Sequence, residues 1–307
     1  MVQFFQQLSN GLALGSLYAL VAIGYTIVYG IIQLINFAHG EIFMIGSFGA
    51  LAAWTWGLGR SPSLWVLPVL LVASVVSSVI VALIVERIAY RPLRNAPRLA
   101  PLITAIGVSI FLQEAVRTRY PGATSRLPFP SIDVVSGSPL SIGPVLVQRS
   151  TVLIIGLMIV CGLFVNYFVQ RTRSGRAMQA TAQDPDTARL MGIDVDRIIV
   201  IAFVLGASLA GIAGLAQGVR YGTINYFDGF TAGLKAFTAA VLGGIGNING
   251  AILGGLLVGL IETLATQYIP GRFGGNAWSD VWAFIVLIIV LVLRPQGLLG
   301  ARMTDRA

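Results

Sequence analysis

Apolar residues in this chain come in continuous blocks, several of them about 20 residues or longer, and nothing else in the sequence constrains the fold as much. A helix of about 20 residues crosses the roughly 30 Å hydrocarbon core of a bilayer, with its backbone groups paired inside the segment. A membrane strand would instead alternate apolar and polar residues over about ten positions, and these blocks do not alternate. The chain is therefore read as all-α, a single polytopic transmembrane helical bundle over residues 1–307 with about 8–10 spans. Only 10% of residues are charged while 56% are hydrophobic, against roughly 25% charged in soluble domains. That balance excludes an ordinary soluble protein.

The spacing predicts spans near Leu8–Ile32, Phe37–Leu58, Leu64–Val85, Ala100–Val116, Val152–Val169 and Ile198–Val219. Leu234–Thr266 would extend about 50 Å as one helix, too long for one crossing, so it must be interrupted. The run GGIGNING at Gly243–Gly250 is the expected break, because glycine costs about 1 kcal/mol per position inside a helix. A last span, Trp278–Leu293, ends at Arg294-Pro295. The N-terminal stretch lacks a basic region and a small-residue cleavage site, so it reads as a retained first span.

Basic residues set the orientation. Arg87, Arg91, Arg94 and Arg98 follow the third span, and Arg171, Arg173, Arg176, Arg189 and Arg197 follow the fifth. With Arg294, Arg302 and Arg306 these make twelve of the twenty basic residues, and all belong on the cytoplasmic side. The loop at about 117–150 is then external, the loop at about 171–197 cytoplasmic, and a double crossing by Leu234–Thr266 gives nine spans. The net charge of +8 thus marks membrane orientation and gives no reason to expect a nucleic acid partner. Small residues spaced by four, as in Gly11-x-x-x-Gly15, Gly214-x-x-x-Gly218, Gly246-x-x-x-Gly250-x-x-x-Gly254 and Gly255-x-x-x-Gly259, suit close helix contacts, although 36 glycines produce some such spacings by chance. Ile35-Asn36 and Ile248-Asn249, each near glycines, give a faint internal echo.

The residue inventory removes several chemistries. Lys235 is the only lysine and does not sit in a G-x-x-x-x-G-K-[ST] loop, so ATP hydrolysis of that kind is excluded. His39 is the only histidine and Cys161 the only cysteine, which argues against a His-based triad, a metal cluster or an internal disulfide. No catalytic residue, bound cofactor or metal is expected in this chain. Polar groups inside or beside apolar spans, namely Asn36, His39, Glu41, Gln113, Glu114, Asn247, Asn249 and Glu262, are candidates for a translocation path, because a charge at the bilayer centre costs about 2.5 to 3.5 kcal/mol. The competing reading puts Glu114, near Arg117, and Glu262 at the interface and makes Asn36 and His39 helix caps. Glycine-flanked breaks also expose backbone groups at membrane depth, where transporters hold small polar ligands. The mixed-charge loop Arg171–Ile198 either presents a short amphipathic helix, with Asp184 or Asp186 at its start and Gly192 at its end, or is a solvated turn with snorkelling arginines.

Several stretches resemble one family. Tyr18–Ser47, Glu86–Arg94 (ERIAYRPLR), Ala105–Gln113, Gly175–Ile193 (GRAMQATAQDPDTARLMGI) and Lys235–Gly255 together are similar to the permeases of high-affinity branched-chain amino acid ABC importers, closest to the LivH-type subunit. The resemblance covers most of the chain; Thr118–Ser150 has no firm match. It implies a multi-pass permease of the bacterial cytoplasmic membrane that pairs with a second, LivM-like permease and recruits two cytoplasmic ATPase subunits, which bind ATP and magnesium. A periplasmic binding protein would deliver the small-molecule substrate.

The resemblance also implies that the loop carries a coupling helix related to an E-A-A-x-x-x-G pattern. Asp186-Thr187-Ala188 and Gly192 match it with departures at the first two letters, and Gly175, Arg176 and Asp184 complete the matching stretch. Relatives of this type also carry urea, short amides and other amino acids. An ion-coupled carrier or channel is the rival class, against which the arginine-rich loop weighs; an intramembrane enzyme would need a nucleophile and base that are missing.

Overall fold

The computed structural model describes residues 2–34, 36–57, 65–94, 96–97, 99–132, 135 and 137–300. The predicted span ends at Leu58 and Leu64, and Arg98, Arg302 and Arg306, lie outside the described residues. The spans are α1 (Val2–Ile32), α2 (His39–Thr55), α3 (Val66–Val85), α4 (Leu99–Arg119) and α5 (Arg149–Arg171). Two short helices follow, α6 (Arg173–Gln183) and α7 (Pro185–Leu190), then α8 (Val195–Tyr221), α9 (Asp228–Gly243), α10 (Ile248–Tyr268) and α11 (Ser279–Leu293). Six of these (α1, α3, α4, α5, α8 and α10) are long and apolar enough to span on their own. The shorter apolar helix α11, together with α2 and α9, completes the bundle among the described residues.

The basic loops converge at one end. Arg91 and Arg94, after α3, pair with Asp196 in the first turn of α8, and Arg94 also pairs with the buried Glu86 of a π-turn at Glu86–Tyr90. By the positive-inside argument this end is cytoplasmic. At the other end the 117–150 segment folds into more than a loop. Strand β1 (Leu127–Pro128) pairs with β4 (Thr223–Ile224), and β2 (Leu140–Ile142) forms a hairpin with β3 (Val145–Val147) across Gly143-Pro144, where Gly143 has φ +60°. Gln6 of α1 bonds Leu146 of that hairpin, so the N-terminal turn lies on the external side.

Helix contacts follow the small residues. Gly11 and Gly15 of α1 mesh with Gly255 and Gly259 of α10, so two of the four-residue spacings seen in the sequence meet each other. A Cβ at Gly15 would come within 2.7 Å of the Leu256 backbone, so the helices approach backbone to backbone. Ser74 and Ser78 of α3 donate to the carbonyls of Gly211 and Ile42 at 2.6 and 2.9 Å, hydrogen bonds that tie α3 to α8 and α2.

The packing repeats itself with inverted topology. Helix α2 packs on α3 and α8, and α3 on α8; correspondingly α9 packs on α10 and α1, and α10 on α1. The chain runs inward along α1 and outward along α8, so the second triplet is turned over in the membrane, as in inverted-repeat transporters. The sequences that open α2 and α9 match: Ile35-Asn36-Phe37-Ala38-His39-Gly40 and Ile224-Asn225-Tyr226-Phe227-Asp228-Gly229. Contacts across the repeat are reciprocal. Gly24 faces the Gly206 carbonyl and Gly206 faces the Gly24 carbonyl; Gly40 faces the Gly229 carbonyl and Gly229 the Gly40 carbonyl. The faint echo read between Ile35-Asn36 and Ile248-Asn249 is thus replaced by a pairing with Ile224-Asn225.

Candidate functional site

Most of the sequence candidates fall in three regions, the cytoplasmic loop, the start of α2 and the α9–α10 turn, while Gln113 and Glu114 lie on α4 and Glu262 within α10.

In the loop, Thr172 caps α6 by accepting from the Gly175 amide at 3.0 Å. Gly175 is pressed against the end of α5, where a Cβ would come within 2.6 Å of the Val169 Cα, so only glycine lets α6 fold back this tightly. Arg176 is exposed. Asp184 caps α7, accepting from the amides of Asp186 and Thr187 at 3.0 and 3.1 Å and from the Thr187 hydroxyl at 2.6 Å. Those donors, the Thr187 hydroxyl foremost, hold its carboxyl below the usual range. Ala188 is buried and seats α7, while Asp186 forms an exposed pair with Arg189 at 2.8 Å. Gly192 closes the helix at φ +83°, left-handed backbone that favours glycine. The loop thus carries two helices where composition suggested one. Its tip presents Leu190 and Met191, 88% and 78% exposed, at the cytoplasmic end.

Asn36, His39 and Glu41 come together at the start of α2, inside the bundle. His39 packs against Gly24 of α1, eight residues or about 12 Å from the end of that helix, and against Gly206 of α8. Its ring meets Tyr25 edge-on with centroids 4.7 Å apart. Asn36 accepts from the Tyr90 hydroxyl at 2.8 Å. Glu41 is fully buried and accepts from Ser109 at 2.9 Å and Gln113 at 2.8 Å, both on α4. Asn36 Nδ2, His39 Nε2 and Glu41 Oε2 have no partner among the described residues. The α2 start and the α9 start therefore form a polar, glycine-lined crossing within the membrane.

The remaining path candidates lie apart from that crossing. Glu114 is exposed on α4 and pairs with Arg117 one turn away at 3.1 Å, matching the interface reading. Asn247 caps α10 by accepting from the Gly250 amide at 3.1 Å, and donates to the Leu299 carbonyl at 2.8 Å. Asn249 is exposed. Both asparagines line a cavity of about 400 Å³ shared with Asn166, Gln170 and Gln179 at the cytoplasmic end. The run breaks at GGIGNING as expected: α9 and α10 are separate helices, and the turn between them lies beside the cytoplasmic loop, away from the α2–α9 contact.

Sequence reasoning noted Glu262 but missed its setting. Glu262 of α10 accepts from Lys235 of α9 at 2.7 Å and from the Tyr18 hydroxyl of α1 at 2.9 Å, and Lys235 also reaches Asp280 of α11 at 2.6 Å. A single lysine inside an apolar run, 27 residues from a glutamate in the next span, was the available signal. This cluster floors two adjoining cavities of about 570 and 270 Å³ at the external end.

A multi-pass helical membrane protein with inverted repeats, a polar midplane crossing and an exposed helical tip at its cytoplasmic end defines a transporter-type permease. The chain belongs to the family described as branched-chain amino acid transport system / permease component, whose model matches residues 7–291. It is 45% identical over 303 residues to the high-affinity branched-chain amino acid transport system permease protein BraD of Pseudomonas aeruginosa, covering 97% of this chain and 96% of that protein. It is 43% identical over 301 residues to the LivH protein of Escherichia coli K12, with the same coverage. It is also 32% identical over 145 residues, 47% of this chain and 32% of the other, to the LivM permease of the same organism.

Proposed function

We propose that this chain is a translocating subunit of an ABC importer for leucine, isoleucine and valine in the bacterial cytoplasmic membrane. The observation that carries the reading is the near full-length identity to branched-chain amino acid permeases. Two cytoplasmic ATPase subunits bind and hydrolyse ATP with magnesium, a LivM-like permease completes the membrane part, and a periplasmic binding protein delivers substrate. The exposed Leu190 and Met191 on α7 are the apolar anchors for an ATPase cleft, and Asp184, Ala188 and Gly192 fix the helix that presents them.

No covalent chemistry takes place in this chain. ATP binding in the partners draws the coupling loops together, and the force passes from α7 into α8, which the Arg94 pairs join to the α3–α4 connection. The packed triplets α2–α3–α8 and α9–α10–α1 then move against one another at the Gly40–Gly229 contact, where no side chain intervenes between the backbones.

The test is uptake into vesicles containing the chain and its partners, with radiolabelled leucine and urea compared. Leucine uptake that isoleucine and valine compete away supports the reading. Uptake of urea alone keeps the architecture and overturns the substrate.

A further inference from the structure

The larger external cavity is lined by a pair of opposite charges, Arg220 and Glu262. At about 570 Å³ it lies within the range of small-ligand pockets. Its charged lining consists of Glu262 and Arg220, and the rest is largely amide and hydroxyl, with Leu14 as its aliphatic side chain. Glu262 is 8% exposed, and its two oxygens are held by Lys235 and Tyr18. A carboxylate has about four acceptor positions, so each oxygen keeps capacity for a further donor. Arg220 comes from the last turn of α8. Its Nη1 donates to Thr151 at 2.9 Å and the guanidinium also contacts Tyr221, 5.9 Å from that ring; its Nε is buried without a partner, and it pairs with no carboxylate among the described residues. A partly buried guanidinium with unused donors is an unmet demand for an anion.

We propose that this vestibule is a transit site for α-amino acids that reads the zwitterionic end and leaves the side chain in water. Arg220 takes the carboxylate and Glu262 takes the ammonium, while Lys235 and Tyr18 are positioning residues that hold the Glu262 carboxylate in place. The polar lining offers an aliphatic side chain little apolar surface, so leucine, isoleucine and valine bind alike and side-chain selectivity resides elsewhere. The site rests on the chain being an amino acid permease and adds to that reading the residues that receive the substrate first.

The experiment uses the complete importer in proteoliposomes with its binding protein, and reads initial uptake of leucine, isoleucine and valine alongside ATP hydrolysis. Arg220→Gln is expected to lower uptake of all three by a common factor of about ten to a hundred, the loss of a charge-assisted hydrogen bond, while ATP hydrolysis stays within about twofold. Arg220→Lys retains the charge and recovers part of the rate. Thr151→Val removes the structural partner of Arg220 and leaves uptake within about twofold of the parent. Uptake unaffected by Arg220→Gln overturns the site, as does equal loss in Thr151→Val, which would make Arg220 a strut, or a loss confined to one of the three substrates. An unmutated complex that carries urea and no amino acid overturns the importer reading and this site together.

Discussion

At Gly40 and Gly229 two helix starts approach so closely that neither position has room for a side chain. A Cβ on Gly40 would come within 2.8 Å of the Gly233 Cα and nearer still to the Gly229 carbonyl, both backbone atoms that cannot rotate away. Gly40→Ala is therefore expected to lower stability by about 1–3 kcal/mol, the usual cost of overpacking, and to appear as a lower thermal midpoint in detergent. Gly156 of α5 is the contrast, since nothing lies within 4 Å of a Cβ built there. Gly156→Ala is expected to be neutral or stabilising by up to about 1 kcal/mol through helix propensity alone. Equal midpoints for the two variants would contradict the packing account. Residue identity alone separated these cases poorly, because a glycine that seats a helix crossing and one that faces open space look the same in sequence.

The helix α7 depends on its cap. Asp184 has its carboxyl lowered by the Thr187 hydroxyl and the two amides it accepts from, so the cap is fully formed above the ordinary aspartate value of 3.8 and is lost as pH falls through the lowered one. Exchange of the Thr187 amide, corrected for its intrinsic pH dependence, is expected to accelerate on that acid side and to be fast at every pH in Asp184→Ala. Protection that persists in the variant would remove Asp184 from the capping role. The apolar tip can be tested separately: replacing Leu190 and Met191 by serine is expected to lower uptake by about tenfold or more, as loss of an interface anchor does, with membrane insertion unchanged. Unchanged uptake would sink the docking role of α7.

Most elements were legible because a spanning helix must be a continuous apolar block, and the predicted spans agree with α1, α4, α5, α8 and α11 to within a few residues at most ends. Depth was not legible. Glycines in GGIGNING announce that a helix stops without saying where in the bilayer, and it is the cavity that Asn247 and Asn249 share with Gln170 and Gln179 that places the turn beside the cytoplasmic loop. The repeat escaped notice because its mark, Ile-Asn then a glycine four residues later, recurs 189 residues apart with half its positions changed. The charge cluster escaped because Lys235 and Tyr18 reach Glu262 from different helices, a proximity created by folding.

At the scale of the whole molecule the account joins an inverted pair of helix triplets, a polar crossing at Asn36, His39 and Glu41, and an exposed cytoplasmic tip, proposed as the docking point for ATPase partners. The exposed α7 ties these together, since a carrier driven by an ion gradient has no need of it. The most direct measurement is leucine flux into proteoliposomes containing this chain and its partner permease, with and without the ATPase subunits, and with residues 184–192 deleted. The account predicts flux that requires the ATPases and ATP, and that is abolished by the deletion although the subunits remain in the membrane. Leucine flux at the same rate with no ATPase present would contradict it and make the chain a carrier or channel.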